Sequence, residues 1–400
     1  MFASESQVSK KLSKNLTLLF IFYSLVLFIP AFSPNYYSVR YGAEYFVNPF
    51  VWFISLTLMI GMSLLSLASR RTHWSCLLLF AVGSYIVLYN SVLIFFGNYF
   101  GFVNLGLILC TSPKIYELSN ENLEKIFCWG LIVLGLFSVL TLSYGLLGLD
   151  ISPIVENRYQ AIQDQIQTVR TSSSSLFGQK NAAGSAISSA MLLLLNLRLS
   201  SPSQKLKLLS FLAFVSAFCT LLMVKSAGGI LISIAGFLFF ILFKLKSKML
   251  ALVLTTLLFT TISVYILSDL TNIQYKISSA SVKFGRILAL FTYFKEQPSS
   301  AFFGDSLVKA ASTQTFYTES SFLDFWLNFG VVGTLCFVLI FTASFIHGLV
   351  QRFYFGALTL LLLFLLTLIQ NSSLMPANAV IIVAVYSRIF LNFSPINTCR

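Results

Sequence analysis

Residues 208–243 read LLSFLAFVSAFCTLLMVKSAGGILISIAGFLFFILF. Two apolar runs, 208–224 and 227–243, are separated only by Lys225 and Ser226. A helix that crosses a bilayer needs about 17–25 mostly apolar residues. Because the runs are continuous and do not alternate in polarity, they favour helices over barrel strands. This stretch therefore predicts two neighbouring transmembrane helices joined by a short turn.

The same composition extends along the whole chain. Of the 400 residues, 57% are hydrophobic and 10% are charged, whereas soluble domains carry about 25% charged residues. The chain is therefore predicted to be an all-α polytopic membrane protein with about 12 transmembrane helices. The predicted spans are 16–33, 46–68, 75–97, 99–112, 126–149, 182–198, 208–224, 227–243, 249–267, 322–345, 354–370 and 378–395.

The distribution of charge predicts the orientation of these helices. With both termini in the cytoplasm, the cytoplasmic segments hold fifteen lysines and arginines against four acidic residues. The opposite side holds ten basic and nine acidic residues. Such a bias follows the positive-inside rule, so the excess of basic residues indicates topology and contact with anionic lipids. It does not indicate nucleic-acid binding, and the first span is expected to stay uncleaved.

The cysteines and histidines exclude two kinds of site. The six cysteines fall in predicted spans or on the cytoplasmic side, so no disulfide framework is expected outside. His73 and His347 lie at cytoplasmic helix ends, and no His, Cys and carboxylate cluster has the spacing of metal ligands. We therefore expect neither a metal site nor a cofactor.

Most of the outward-facing polar residues fall in two loops, 150–181 and 268–321. A membrane protein with its polar chemistry in two loops on one face is expected to work at that face. The predicted organisation is an N-terminal set of transmembrane helices (1–149), a core that contains both loops (150–345), and a C-terminal set of transmembrane helices (346–400).

In the first loop, residues Arg158–Arg170 have apolar side chains at helical spacing, which predicts an amphipathic helix on the membrane surface. Arg158, Arg170 and Lys180 would then lie near the outer leaflet. Arginine matches phosphate oxygens in a bidentate way, and the helix start near Asn181 adds N–H groups that favour an anion. These residues indicate either a lipid pyrophosphate site or ordinary contacts to lipid phosphates.

In the second loop, residues 282–297 predict another amphipathic helix that ends before Pro298, with Gly304 and Asp305 following in a turn. Arg286 is one of the basic residues of this helix. The rings of Tyr293 and Tyr317 are candidates for stacking on sugars, although aromatic residues at an interface also serve as simple membrane anchors.

Glu319 stands directly before the span that begins FLDFWLNFGVVG. A carboxylate at a helix start is either a cap or, beside a cationic patch, a general base for an attacking hydroxyl. Asp324 lies further along this span, where an ionised group at bilayer depth needs a partner. One of the loop arginines is the natural candidate for that partner.

Four segments in order resemble the O-antigen ligase/O-antigen polymerase family of bacterial cell-envelope proteins. RTSSSSLFGQKNAAG is similar to the family's Arg and Gly-x-x-Asn at a helix start, and VKSAGGILISIAGF to its small-residue helix start. GRILALFTYFKEQPSSAFFGDS is similar to its Arg, Pro and Gly before the last outer loop. ESSFLDFWLNFGVVG is similar to the end of that loop and its Asn-x-Gly-x-x-Gly helix. The resemblance covers roughly residues 165–340.

The resemblance implies metal-independent glycosyl transfer at the periplasmic face of the bacterial inner membrane, without a cofactor. The implied donor is an undecaprenyl-pyrophosphate-linked saccharide, and the acceptor is a lipid-linked repeat unit. Arg170, Arg286 and Lys225 would stabilise the departing pyrophosphate, and Glu319 would act as the base or orient the acceptor. Membrane lipids are further partners, and a chain-length regulator is another candidate partner.

Two departures from the family pattern bear on the choice of enzyme. Lys225-Ser226 stands where the family usually has Ser-Arg, so the cation is kept but the bidentate fork is lost. Ligases carry a histidine in the last outer loop, and Glu319-Ser320 occupies that region here. We therefore expect a surface polysaccharide polymerase. The alternatives are a ligase that transfers polymer to lipid A core or to a protein, and a transporter or flippase without catalysis.

Overall fold

A computed structural model describes most of the predicted spans and part of the second loop. The described residues are 7–26, 50–68, 73–94, 100–146, 180–200, 204–224, 227–244, 285–305, 321–350, 357, 360–361, 363–364 and 376–391. Every regular element in these ranges is helical, so the described part of the chain is all-α. The predicted helix Arg158–Arg170 and the predicted span 249–267 lie outside the described residues.

The helices are numbered here in chain order, and residues 285–296 form one of them. They are α1 (Gln7–Val26), α2 (Phe50–Ala68), α3 (Trp74–Ile94), α4 (Phe100–Leu109), α5 (Ser112–Tyr116), α6 (Asn120–Leu146), α7 (Lys180–Ser200), α8 (Lys207–Val224), α9 (Ala227–Lys244), α10 (285–296), α11 (Pro298–Phe303), α12 (Ser321–Val350) and α13 (Pro376–Leu391).

Three stretches of helix are long and apolar enough to cross a membrane: Asn120–Leu140, Gln204–Met223 and Phe322–Val350. Shorter apolar helices cover Ile54–Ala68, Trp74–Tyr89, Ala183–Arg198 and Ala377–Phe390. Many of their outward side chains are large and hydrophobic, including leucines of α2, α8 and α12. These features indicate membrane association. The number of twelve spans and their orientation stay predictions.

Helices α7 and α13 form the centre of the bundle. The described side chains of both helices, from Ala183 to Leu197 and from Ala377 to Phe390, are buried throughout. The two helices pack on each other, and α7 also packs on α6, α8 and α9. Small residues in α7 let neighbours approach closely: a Cβ on Gly229 of α9 would lie 2.6 Å from the Gly184 carbonyl oxygen. Helices α7 and α9 therefore pack closely against each other at the start of α7.

Aromatic and charged side chains define one end of the bundle, which we call the histidine end. The ring of His73 stacks on Tyr116 at 5.5 Å between centroids, and His347 stacks on Phe390 at 4.7 Å. Arg388 donates to the carbonyl oxygen of Ile115 (2.9 Å) and so satisfies the end of α5. Residues that the charge pattern predicted to be cytoplasmic thus meet at one end, although which end faces the cytoplasm stays a prediction.

The opposite end carries Tyr85 and Tyr89 of α3, and we call it the tyrosine end. Both rings approach Phe329 of α12, with centroids 6.0 and 5.1 Å away. Asn378 at the start of α13 donates to the Ser185 hydroxyl of α7 (3.2 Å). The starts of α7, α9 and α13 and the first part of α12 therefore lie on the side of the bundle where α3 ends.

The first and the fourth predicted spans differ most from the observed helices. The first helix begins at Gln7 and not at residue 16. Its additional N-terminal part is polar and includes the exposed residues Lys10 and Lys11, so a search for apolar runs did not include it. The predicted span 99–112 is divided into α4 and α5, with a turn at Cys110 and Thr111. Pro113 fits this break, since proline is favoured in the first turn of a helix.

Candidate functional site

The described part of the second loop folds into a helical corner, which we define as α10, α11 and residues 304–305 lying on the first part of α12 (321–330). Leu290 and Phe294 of α10 pack against Leu327 of α12 in a buried cluster. Trp326 closes this cluster, since its ring lies 5.2 Å from Phe294 and its Nε1 donates to the Ala301 carbonyl oxygen (3.0 Å). The loop segment is therefore fixed to the bundle by its apolar face.

A group of hydroxyl and carboxylate side chains lies inside the corner. The Tyr293 hydroxyl donates to Asp305 Oδ2 (2.6 Å), and Ser300 Oγ donates to the same oxygen (3.2 Å). The two hydroxyl oxygens are 3.1 Å apart. Burial and, next, the hydrogen bond to Asp305 raise the pKa of Tyr293, so the phenol stays a donor at neutral pH. This Tyr293–Ser300–Asp305 group was not predicted from the sequence.

Two glycines allow the backbone of residues 302–304 to cross closely over α12 at residues 328–330, and we call this contact the crossing. Gly304 and Gly330 have φ angles of 84° and 67°, which residues with a Cβ rarely adopt. A Cβ at Gly330 would overlap the Phe302 carbonyl oxygen, and one at Gly304 would overlap the Asn328 carbonyl oxygen. The backbone N–H of Asp305 then donates to the Leu327 carbonyl oxygen (2.6 Å). The crossing therefore sets where the Asp305 carboxylate lies.

Arg286 shares one face of α10 with this group. Arg286, Leu290 and Tyr293 are spaced four and three residues apart, so they lie along the same side of the helix. Leu290 is fully buried, which orients this side toward α12. Arg286 is about 10 Å along the helix axis from Tyr293, and it is partly buried. Helical spacing thus places Arg286 on the same side of α10 as the hydroxyl–carboxylate group.

The first part of α12 buries two polar side chains next to a break in the helix. Asp324 is 0% exposed and Asn328, one turn later, is 2% exposed. The helix is interrupted at Gly330, whose backbone is not helical. Breaks in membrane helices free backbone groups that can bind ions or substrates. This part of α12 is therefore a second polar feature of the tyrosine end.

The starts of three helices lie together on the same side of the bundle. Helices α7 and α9 approach at Gly184 and Gly229, and α7 and α13 are joined by the hydrogen bond between Ser185 and Asn378. Helix starts carry partial positive charge and free N–H groups. Lys180 and Asn181 are the first two residues of α7, so the predicted anion-binding residues stand at this junction.

Comparison with protein-family models and with curated proteins finds no match to this chain. The function is therefore inferred from the residues of the site. Of the predicted site residues, Arg286 and Tyr293 lie in the helical corner, and Lys180 and Asn181 begin α7. The other five lie outside the described residues: Arg158, Arg170, Lys225, Tyr317 and Glu319.

Sequence reasoning missed some residues that the structure brings together. Asp305 was predicted to lie in a turn, but nothing in its spacing from Tyr293 predicted their hydrogen bond. The motif LNFGVVG contained the signal for the buried Asn328 and for Gly330, where α12 is interrupted. Among the residues that the structure describes, no three His, Cys, Asp or Glu side chains are grouped as metal ligands.

Proposed function

We propose that this protein is a membrane glycosyltransferase that polymerises a surface polysaccharide from undecaprenyl-pyrophosphate-linked saccharides. The observation that carries the proposal is the helical corner, in which Arg286 lies on the same side of α10 as the Tyr293–Ser300–Asp305 group. A guanidinium suits a pyrophosphate, and hydroxyl and carboxylate groups suit the hydroxyls of a sugar. One surface thus offers partners for both parts of a lipid-linked saccharide.

The proposed reaction is a substitution at the anomeric carbon of the donor. An acceptor hydroxyl forms the new C–O bond, the bond to the polyprenyl pyrophosphate breaks, and the hydroxyl proton passes to a base, for which Glu319 is proposed. The departing negative charge is the main energetic problem, so fixed cations should contribute most of the catalysis. Arg170, Arg286 and Lys225 are proposed for that role. Two substrates anchored in one membrane plane also gain a large proximity effect.

The junction of helix starts supports the same chemistry. Backbone N–H groups and the helix dipoles of α7, α9 and α13 favour an anion at their common end, where α7 begins with Lys180 and Asn181. We propose that this junction belongs to the same site as the corner. In the proposed topology, twelve spans cross the bacterial inner membrane, both termini are cytoplasmic and the tyrosine end faces the periplasm.

A second candidate function is transport without catalysis. The observation that favours it is the break in α12 at Gly330 beside the buried Asp324, since transporters place broken helices and ionisable groups within the membrane. We prefer the polymerase because the helical corner gathers groups suited to both sugar and pyrophosphate on one side of α10.

Deletion of the gene tests the proposed function in the cell. Surface polysaccharide is then separated on a gel. A polymerase predicts loss of the long-chain ladder while a single attached repeat unit remains. Loss of every attached repeat unit, with polymer accumulating on the carrier lipid, would instead identify a ligase. An unchanged ladder would contradict both enzymes.

Substitutions of the proposed pyrophosphate-binding residues test the assignment of roles. Arg170→Ala and Arg286→Ala should each abolish polymer at normal protein levels. Lys295→Ala is the matched control for Arg286→Ala, because Lys295 is an exposed cation on the same helix. Full activity of both arginine variants would contradict the assignment. Reporter fusions near residues 165 and 300 should both indicate the periplasm, and a cytoplasmic signal at either would contradict the topology.

A further inference from the structure

We propose that residues 285–305 form a re-entrant element that dips into the outer half of the bilayer, with Phe302 and Phe303 facing the acyl chains. The sequence predicts an outer loop here, and none of these residues belongs to a helix long enough to cross a membrane. The proposal rests on where α11 contacts α12 and α3 and on the exposure of Phe302 and Phe303. It does not depend on whether the protein transfers sugars.

The first measure of depth comes from α12. The apolar stretch that could cross the membrane begins at Phe322, and Gly330 lies eight residues further along the helix. At about 1.5 Å per residue, Gly330 is about 12 Å below the start of this stretch. The Phe302 backbone contacts Gly330 so closely that a Cβ would overlap its carbonyl oxygen. Helix α11 therefore ends beside the apolar stretch of α12 that is long enough to cross a membrane.

The second measure of depth comes from α3 on the other side of α11. Tyr89 donates a hydrogen bond to the Phe303 carbonyl oxygen (2.9 Å). Tyr89 belongs to the apolar stretch Trp74–Tyr89, and α3 continues for five more residues to Ile94. Two neighbouring helices thus place Phe302 and Phe303 below their own outer ends.

The large side chains that α11 exposes at this level are apolar. Phe302 is 58% exposed and Phe303 is 71% exposed, although both are large hydrophobic side chains. Leu88 of α3 and Val332 of α12, close in sequence to the contacts with α11, are exposed as well. Large apolar patches on a protein surface indicate contact with another apolar phase. Since Phe302 and Phe303 contact two apolar helices whose nearby residues are also apolar and exposed, the proposed occupant is lipid hydrocarbon.

The irregular backbone of the element is compatible with this depth. Non-helical backbone within a membrane requires its polar groups to be satisfied by protein or water. The N–H groups of Gly304 and Asp305 donate to Ser300 (2.9 Å) and Leu327 (2.6 Å), respectively. The carbonyl oxygens of Ala301 and Phe303 accept from Trp326 and Tyr89. The crossing therefore meets the hydrogen-bonding requirement of a membrane-embedded turn.

Spin labelling of the full-length protein in proteoliposomes tests this proposal. The native cysteines are replaced by alanine, and single cysteines are introduced by Phe303→Cys and, independently, Phe302→Cys. Leu335→Cys on the outward face of α12 is the lipid reference, and Gln204→Cys at the exposed turn before α8 is the water reference. For each nitroxide, the collision rates with oxygen and with a water-soluble nickel chelate are compared.

The oxygen-to-nickel ratio at positions 302 and 303 should match Leu335→Cys and exceed Gln204→Cys several-fold. Ratios like that of Gln204→Cys would place α11 in water and overturn the proposal. Low access to both reagents at both positions would show that another part of the chain covers the surface, which also overturns it. Because positions 302 and 303 are labelled in separate variants, the proposal can still be tested if one of the two variants does not fold.

Discussion

Asp305 shows how one side chain depends on distant parts of the chain. Its carboxylate accepts from Tyr293 and Ser300, while its N–H is held by Leu327. Hydrogen bonds to a charged group contribute about 1.5–3 kcal/mol each. The position of this carboxylate is therefore well determined, and its partner Tyr293 is ordered with it.

Removing the phenol tests whether this group serves the proposed reaction. Tyr293→Phe should lower the rate of polymer formation about tenfold to a hundredfold, which corresponds to the hydrogen-bond energy above. Because a loss of structure alone would also reduce activity, protein level and melting temperature are measured beside the rate. Tyr85→Phe at the same end is the control and should retain activity. Equal rates for both variants would contradict a role for the Tyr293 hydroxyl.

The surroundings of His73 at the histidine end predict how the stability of the protein depends on pH. Its Nδ1 accepts the backbone N–H of Ser75 (3.3 Å), which requires an unprotonated Nδ1. Burial and, next, the nearby His347 lower the pKa of His73. The unfolded chain therefore takes up this proton first as the pH falls through about 6.5. The stabilising contribution of His73 is present above that pH and is lost below it.

Melting temperatures of the detergent-purified protein at pH 7.5 and pH 5.5 check this prediction. The wild-type protein should lose more stability on acidification than His73→Phe, since phenylalanine keeps the ring but does not titrate. The same drop in melting temperature for both proteins would mean that His73 does not contribute to the pH dependence.

At the scale of elements, the break in α12 is needed for the contact with α11. Gly330→Ala would force a Cβ into the Phe302 carbonyl oxygen and strain the positive φ. The strain alone costs about 1–3 kcal/mol, so the melting temperature should fall. Gly285→Ala is the matched control, because its Cβ would meet nothing within 4 Å and alanine is the better helix former. If the Gly330→Ala protein is as stable as the Gly285→Ala protein, α11 does not contact α12 as closely at Gly330 as described here.

A buried ion pair joins three helices at the other end of the bundle. Arg198 of α7 donates to Glu124 of α6 (3.0 Å), and Ser210 of α8 donates to the same oxygen (2.7 Å). Glu124 is 1% exposed and Arg198 is 19% exposed. Arg198→Ala leaves a buried carboxylate without its cation, which should cost about 3 kcal/mol, the low end for a buried pair. Lys205→Ala, an exposed lysine before α8, should change the melting temperature little.

At the scale of the whole molecule, the helices were predictable where a long apolar run determined them. The runs at 208–224 and 227–243 became α8 and α9 within one residue of the predicted bounds. Amphipathic spacing likewise predicted α10 with Arg286 and Tyr293. The division of 99–112 was not predicted, because the polar ends of α4 and α5 are satisfied by tertiary contacts such as the hydrogen bond from Arg388 to Ile115.

The candidate site was predictable only in part. The guanidinium of Arg286 and the ring of Tyr293 indicate phosphate and sugar by their residue types alone. The pairing of Tyr293 with Asp305 depends on the crossing of Gly304 over Gly330, and local periodicity does not encode such a contact. The depth of Phe302 and Phe303 is likewise set by α3 and α12 and not by their own segment, which the sequence alone treats as a loop.

Reconstitution of the purified protein tests the central proposal most directly. Proteoliposomes contain the protein and an undecaprenyl-pyrophosphate-linked repeat unit as the sole saccharide. The proposal predicts a ladder of lipid-linked oligomers, with one polyprenyl pyrophosphate released for each new glycosidic bond, for the wild-type protein and Lys295→Ala but not for Arg286→Ala. If the wild-type protein moves this lipid-linked repeat unit across the bilayer and forms no product longer than one repeat unit, the protein is a transporter and the proposed polymerase activity is wrong.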